Sequence, residues 1–317
     1  MGGEVTVVAP EAPGEGAPAE PSTPRAESGR AFRLDPAALA PFAAAAVAFI
    51  ALFAPVMQKL ASDWWTQPDA GHGLLLAPVA VWLAWQRGLL VPFTERQGNV
   101  PVGLGLLVAG VLFRYLGALA SELFTMRFGL VTVVVGLVVF WFGMRQALAW
   151  WLPIAMLFFS IPLPTLIVNA IALPLQFKAS QLGAALLTWR DVPVRLEGNV
   201  ILIPGQRLFV TEACSGLRSL TALIALGVLT GGLWLRHPVS RLLLLAVAIP
   251  VAILVNGVRV FLTGFLVLFI DPSLGEGFMH LSEGWLLFIV SFGILASAAW
   301  LIGRLEGRIL PAVRHAS

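Results

Sequence analysis

Long runs of apolar residues dominate this chain, and most polar residues lie in the short segments between the runs. A helix of about 20 apolar residues is long enough to cross ~30 Å of hydrocarbon. The pattern predicts eight spans, at residues 37–57, 73–91, 101–120, 126–143, 146–163, 215–234, 241–269 and 284–303. The predicted fold class is therefore an all-α polytopic membrane protein with about eight transmembrane helices.

Two segments between the fifth and sixth spans depart from this pattern. Residues 165–189 are apolar but contain four interruptions, namely Pro174, Gln176, Lys178 and Gln181. This composition predicts an amphipathic helix that lies in the interface or re-enters the membrane without crossing it. The polar stretch that follows has turn signals on both sides of residues 200–203, which predicts a short β-hairpin with residues 208–210.

Composition supports a membrane protein, since 58% of the residues are hydrophobic and only 12% are charged. Residues 1–34 are rich in Pro, Gly, Ala and Glu, which predicts a disordered tail before a membrane domain at 35–304 and a second short tail at 305–317. A single cysteine excludes an intrachain disulfide. The net charge of +3 gives no reason to expect a nucleic-acid partner.

The positions of the arginines predict how the spans are oriented, because cytoplasmic loops carry an excess of basic residues. With the N-terminus in the cytoplasm, the other cytoplasmic turns receive Arg87, Arg96, Arg145, Arg236, Arg241, Arg304, Arg308 and Arg314. This arrangement holds only if the segment 165–189 does not cross. It predicts a multi-pass protein of the bacterial inner membrane, with both termini in the cytoplasm and the hairpin on the extracytoplasmic side.

The only cysteine, Cys214, lies where the polar stretch gives way to the sixth span. Thr211 and Glu212 precede it and Ser215 follows it, so Cys214 is predicted in the first turn of a helix. The positive end of a helix dipole favours a thiolate, which is the nucleophilic form of cysteine. Arg218 would lie one turn further on the same face. The alternative is that Cys214 is a small buried hydrophobic residue.

Two other reactive side chains are predicted to reach the same depth as Cys214. Arg259 lies ~26 Å along its span from the inner end, and His280 directly precedes the last span. An arginine in a span is expected to face protein or water. Alternatively, Arg259 forms an ion pair with an acidic residue of the outer loops, and His280 is an ordinary interfacial histidine. His72, between the first two spans, is predicted on the same side of the membrane.

Several motifs resemble the exosortase/archaeosortase family of membrane cysteine transpeptidases. The most specific is TEACSGLRS at 211–219, preceded by the predicted hairpin. FFSIPLP at 158–164, NGVRV at 256–260 and His280 with Gly284-Trp285 follow the family's pattern in the same order. The resemblance covers most of residues 40–303. One departure is AGHG at 70–73, where family members often have an aromatic residue and a serine before the histidine.

The resemblance implies a catalytic role for Cys214, Arg259 and His280. Cysteine would form a thioester, histidine would move the proton, and arginine would stabilise the oxyanion or the thiolate. Five further residues would adjoin the reacting atoms or bind substrate: Glu212, Ser215, Arg218, Asn256 and His72. The implied substrates are secreted proteins with a C-terminal sorting signal of the PEP-CTERM type, made of a short motif, a transmembrane helix and a basic cluster. The acceptor would be a membrane lipid or a glycan.

Two other classes of function remain open from the residues alone. One is a transporter or flippase, in which Arg114 and Arg259 bind an anionic lipid or a lipid-linked sugar. The other is a membrane glycan or acyl transferase, in which Cys214 is incidental. No metal or other cofactor is predicted, since the chain has no His-Glu-x-x-His sequence and few histidines. The oligomeric state is left open.

Overall fold

A computed structural model of the chain describes residues 2, 36–67, 70–90, 98–209, 217–271 and 277–309. By internal packing the chain divides into two compact units, Met1–Ile50 and Ala51–Ser317. In the first unit residues 36–50 are helical. The helices are α1 (Pro36–Thr66), α2 (Gly73–Arg87), α3 (Val100–Leu119), α4 (Leu123–Ala149), α5 (Trp151–Phe159), α6 (Thr165–Trp189), α7 (Leu217–Trp234), α8 (Pro238–Phe269) and α9 (Gly277–Ile309). The strands are β1 (Arg195–Glu197), β2 (Val200–Ile203) and β3 (Gln206–Phe209).

The structure confirms a helical, polytopic membrane protein. Within the described residues, six helical segments are long and apolar enough to cross a membrane: Ala40–Thr66, Val100–Leu119, Leu123–Ala149, Leu166–Trp189, Pro238–Phe269 and Ile289–Arg308. The predicted count of eight is not confirmed. Helix α2 has 15 residues and α5 has nine, and both are shorter than the roughly 20 residues that a crossing requires.

The central part of the chain differs from the prediction. A crossing was predicted at 146–163, but α4 is broken at Gly143, whose φ is 83°, and α5 ends after nine residues. The next helix, α6, was predicted to lie in the interface. It has 25 residues, and its segment Leu166–Trp189 is one of the six candidate spans. The interfacial position is therefore not confirmed, and α6 rather than α5 has the length of a spanning helix.

Helix α6 packs lengthwise beside α8, and the two helices run in the same direction. Gly257 of α8 meets Leu182 of α6, and Gly264, two turns later, meets Leu187. Residue numbers rise together along both helices, so their C-terminal ends lie at the same end of the bundle. Glycine at these contacts lets the two backbones approach closely, as is common between membrane helices.

We expect Gly257→Ala to loosen this pair of helices. The added methyl group would overlap with the side chain of Leu182, and overpacking of this kind typically costs ~1–3 kcal/mol. The second change Leu182→Ala should recover part of the loss, because it removes the Cγ and Cδ2 atoms at the contact but keeps Cβ. Thermal unfolding in detergent measures both effects. Gly293→Ala is the matched control, because no other part of the described structure lies within 4 Å of the position of its methyl group. Equal stability of Gly257→Ala and the original chain would contradict the contact.

Helices α7, α8 and α9 pack together and meet at one end, with α8 antiparallel to the other two. Glu306 near the end of α9 accepts hydrogen bonds from the backbone N–H groups of Arg236 (2.9 Å) and His237 (2.8 Å), in the turn between α7 and α8. Leu235 packs beside Gly303 in the same place. We call this the junction end. The first residues of α7 and α9 and the last residues of α6 and α8 consequently lie at the opposite end.

A small antiparallel sheet of order β1-β2-β3 covers that opposite end of α6 and α8. Its buried residues Ile201 and Ile203 pack in one cluster with Leu187 of α6 and with Val260 and Val267 of α8. The predicted hairpin is confirmed as β2 and β3, which pair from Val200↔Phe209 to Ile203↔Gln206. We call this the sheet end of the bundle. Strand β1 was not predicted.

Candidate functional site

The loop that carries the predicted nucleophile lies outside the described residues. It comprises residues 210–216 and includes Cys214, Glu212 and Ser215. Helix α7 begins at Leu217, three residues after Cys214. Arg218 lies in the first turn of α7, but its side chain is outside the description. The prediction that Cys214 occupies the first turn of a helix remains a prediction.

Arg259 lies in the C-terminal half of α8, at the sheet end. Its side chain is half-buried, and its carbonyl oxygen accepts a hydrogen bond from the Thr263 hydroxyl at 3.0 Å. The preceding turn carries Asn256, which is buried. Two of the acidic residues considered as ion partners of Arg259, Glu212 and Glu283, have side chains outside the description.

His280 lies in the first turn of α9, which begins at Gly277, and its side chain is also outside the description. Its position on the helix can still be assigned. Leu287, seven residues later, packs against the core between α7, α8 and α9. Seven residues are close to two helical turns, so the two positions share one face of α9. The backbone position of residue 280 thus lies in line with Leu287 along α9.

The same reasoning applies to Arg259 on α8. Ala248 and Val255 belong to the buried cluster that contains Leu223 of α7 and Leu295 of α9. Arg259 follows Val255 by four residues, so it extends the same face by one turn toward the sheet end.

Distances along the helices show how far each candidate position lies from the junction end. Measured from the junction end, at about 1.5 Å per residue, Leu217 lies ~27 Å along α7, Arg259 ~33 Å along α8 and His280 ~39 Å along α9. The spread is about two helical turns. The structure therefore brings Arg259, the position of His280 and the residue next to the Cys214 loop to one end of the same helical bundle.

His72 has a different environment from the other predicted site residues. It directly precedes α2, and its Nε2 lies 3.2 Å from the carbonyl oxygen of Phe159. In the adjacent contact the Trp64 indole N–H donates to the carbonyl oxygen of Ser160 at 2.8 Å. Two motifs of the family pattern, AGHG and FFSIPLP, thus touch each other. The contact gives His72 a partner at the end of α5.

A buried ion pair was missed by the sequence reasoning. Asp63 of α1 pairs with Arg127 of α4, and both side chains are almost fully buried. Lys59, one turn before Asp63, lies 3.1 Å from the same carboxylate. The predicted first span ended at residue 57, which left Asp63 in a loop. The two charges lie 64 residues apart, so no local signal in the sequence connects them.

Arg114 was considered as an anion ligand in the membrane or as a partner of Glu122. In the structure its Nη1 lies 3.5 Å from the sulfur of Met126. The Glu122 carboxylate accepts hydrogen bonds from the backbone N–H groups of Phe124 (2.9 Å) and Thr125 (2.6 Å) and so caps α4. Partial burial acts to raise the pKa of Glu122, but hydrogen bonds from Thr125 and Phe124 outweigh burial and lower it.

Long apolar helices packed around a buried core, with a small sheet over one end of α6 and α8, define a polytopic helical membrane protein. The chain matches the family model described as transmembrane exosortase (Exosortase_EpsH) over residues 64–297. Since the match covers most of the chain, the protein belongs to the exosortase family. Neither a curated protein nor a solved structure matches it. Family membership supports a membrane transpeptidase function in general terms.

Proposed function

We propose that the protein is a membrane cysteine transpeptidase that cleaves the C-terminal sorting signals of secreted proteins and passes the new C-terminus to an acceptor. The family match supports the reaction class. The assignment of residues is supported by the position of Arg259, His280 and the start of α7 at the same end of the bundle, the sheet end. Cys214, which precedes α7, is the nucleophile in this proposal.

The proposed orientation places the junction end in the cytoplasm and the sheet end outside. Contacts gather arginines at the junction end: Arg241 donates to the Leu235 carbonyl oxygen at 2.9 Å and stacks over Trp151 at 4.8 Å. Arg87 donates to the carbonyl oxygen of Ala149 at 2.7 Å, two residues before Trp151. A basic excess favours the cytoplasmic side. The proposed orientation counts α2 as a crossing although it has only 15 residues. With α6 in place of α5, five crossings then precede the sheet, and the sheet lies outside.

The first half of the proposed reaction forms a thioester. The Cys214 thiolate attacks the scissile carbonyl carbon, the S–C bond forms, and the carbonyl π electrons move to the oxygen. The Arg259 guanidinium stabilises this oxyanion. When the tetrahedral intermediate collapses, the C–N bond breaks, and the His280 imidazolium gives its proton to the leaving nitrogen. The leaving fragment is the transmembrane helix of the sorting signal with its basic cluster.

The second half transfers the acyl group. A hydroxyl or amine of a membrane lipid or a glycan attacks the thioester carbon and gives its proton to neutral His280. The C–S bond then breaks, which regenerates the thiolate of Cys214. Glu212, Ser215 and Arg218 flank the nucleophile in this scheme and contact the substrate or the reacting groups. A substrate helix lying in the lipid beside the bundle would bring its motif to the outer end.

We expect Arg259→Gln to lower processing of such a secreted protein by roughly 100-fold or more, since one donor to an oxyanion is worth about that much. His280→Ala should reduce processing by a similar or larger factor. The processed fraction is measured by mass spectrometry in membranes that carry each variant. Arg304→Gln is the matched control, because it removes an exposed arginine at the junction end. Normal processing in Arg259→Gln would contradict the assigned role.

A further inference from the structure

The Nδ2 atom of Asn256 is buried and has no hydrogen-bond partner among the described residues. The residue is 5% exposed. Asn256 precedes Arg259 by three residues, so the two side chains are neighbours on one surface of α8. The amide therefore lies next to the guanidinium of Arg259, which stabilises the oxyanion in the proposed function.

A second unpaired donor lies at nearly the same depth on α6. Ser180 is 0% exposed, and its hydroxyl has no hydrogen-bond partner among the described residues. Because Leu182 of α6 meets Gly257 of α8, Ser180 lies within about one turn of the level of Asn256. Gln176, one turn before Ser180 on the same face, is also buried.

The unpaired state of Ser180 is unlike that of other hydroxyls in these helices. Thr188, on the same helix, donates to the Ala184 carbonyl oxygen at 2.9 Å, and Ser291 of α9 donates to the Leu287 carbonyl oxygen at 2.7 Å. Both use the carbonyl four residues earlier, the ordinary partner of a hydroxyl inside a helix. The carbonyl oxygen four residues earlier is available to Ser180 as well, but the Ser180 hydroxyl does not donate to it.

Buried donors without partners are uncommon because they lose their hydrogen bonds to water and gain nothing in return. Polar side chains inside membrane bundles frequently mark the path of a substrate. Here two helices present an amide N–H and a hydroxyl at one level, next to a guanidinium. All three groups donate hydrogen bonds, so the ligand that fits them offers several acceptor oxygens. A peptide backbone offers one carbonyl oxygen at every residue.

We propose that Asn256 and Ser180 bind the backbone of the sorting signal at the scissile bond. Asn256 Nδ2 donates to the scissile carbonyl oxygen beside Arg259, and the Ser180 hydroxyl donates to the carbonyl oxygen of a neighbouring substrate residue. No proton is transferred by either group. The proposal rests on the proposed transpeptidase function and specifies how that site recognises its substrate.

The two donors have different kinetic signatures. The scissile oxygen gains negative charge in the transition state, so the Asn256 hydrogen bond strengthens there and contributes to kcat. The neighbouring carbonyl keeps its charge throughout, so the Ser180 hydrogen bond is equal in both states and contributes to KM.

The test uses the full chain in proteoliposomes, with a tailed secreted protein from the same genome as substrate. We expect Asn256→Ala to lower kcat by about 100-fold or more with little change in KM. Ser180→Ala should raise KM by roughly fivefold with kcat unchanged. Ser180→Ala should unfold at the original temperature or above it, since it removes an unpaired buried group. Asn256→Ala should unfold near the original temperature, because the cavity that it leaves offsets the removal of its unpaired group. Ser291→Ala, which removes a paired buried hydroxyl, is the control and should leave both constants unchanged.

The outcomes separate this inference from the function on which it rests. If Cys214→Ala is inactive while Asn256→Ala keeps its kcat, the inference fails and the transpeptidase stands. If Asn256→Ala unfolds at a clearly lower temperature and loses activity only in proportion to the folded fraction, its role is structural and the inference fails. If the original chain cleaves no tailed protein, or if Cys214→Ala cleaves it normally, the proposed function itself fails.

Discussion

Replacing Cys214 with alanine is expected to abolish processing of tailed secreted proteins, with a loss of more than about a thousandfold. The expectation follows from the proposed chemistry, because no other thiol exists in the chain to form the thioester. Removing the nucleophile leaves only substrate binding and oxyanion stabilisation. The measurement is the mass of each secreted protein from cells in which the variant replaces the original gene.

The variant Cys214→Ser serves as the conservative control, since it keeps the size of the side chain and loses the thiolate. It should also be inactive, while the protein accumulates in the membrane to the original level. Hydroxylamine-sensitive attachment of a substrate fragment to the original chain would identify the thioester directly. Complete processing in both variants would leave Cys214 a buried hydrophobic residue. The transporter and transferase functions would then be the candidates.

Breaking the ion pair between Asp63 and Arg127 is expected to have the largest effect on stability. Both side chains are almost fully buried, and they join α1 to α4. Removing Asp63 strands the buried charge of Arg127, and breaking a buried pair in this way typically costs about 3–5 kcal/mol. Removing Arg127 leaves Asp63 only the half-exposed Lys59 as its partner. We therefore expect Asp63→Asn and Arg127→Met each to lower the unfolding temperature and the amount of protein in the membrane.

The double variant Asp63→Leu with Arg127→Met separates loss of charge from loss of packing. An apolar pair of similar volume is often as stable as the buried ion pair that it replaces. The double variant should therefore recover most of the stability that either single change removes. Glu197→Gln is the matched control, because it breaks an exposed pair with Arg195 and should have little effect. Single variants as stable as the original chain would show that the pair contributes nothing.

Sequence periodicity predicted the helical class and most of the long helices, because a span needs only length and apolar composition. It was less successful for α6. Gln176 and Lys178 interrupt an apolar run and suggested contact with the aqueous interface. In the structure Gln176 is buried in the bundle, whereas Lys178 is exposed. A polar residue in a helix does not by itself distinguish water from protein as its surroundings.

Two features of the fold depend on contacts between distant residues and had no local signal. The pair Asp63–Arg127 joins residues 64 positions apart, so neither charge predicts the other. Strand β1 is short and polar, and it becomes a strand by pairing with β2 from Arg195↔Leu202 to Glu197↔Val200. The β2–β3 hairpin was predictable because the Pro204-Gly205 turn lies between its strands, and Gly205 has a φ of 74° that suits glycine.

The depth of the candidate site was predicted from the sequence by counting residues along each span. In the structure, Arg259 and the backbone position of His280 lie at the same end of the bundle. It adds the faces on which they lie, which follow from the packing of Val255 and Leu287. Ser180 was not a candidate, because only the packing of α6 against α8 brings its hydroxyl to the level of Asn256. The place of Cys214 itself remains a prediction.

Cross-linking from Cys214 is the most direct test of the central claim that one end of the bundle holds all three catalytic groups. Because the chain has one cysteine, a second thiol creates a single defined pair. The variants Arg259→Cys and His280→Cys, treated with a short bismaleimide, should each form an intramolecular cross-link to Cys214. Ser240→Cys, at the junction end, should not. If the yield of cross-link to Cys214 from positions 259 and 280 is no higher than the yield from position 240, the account is contradicted.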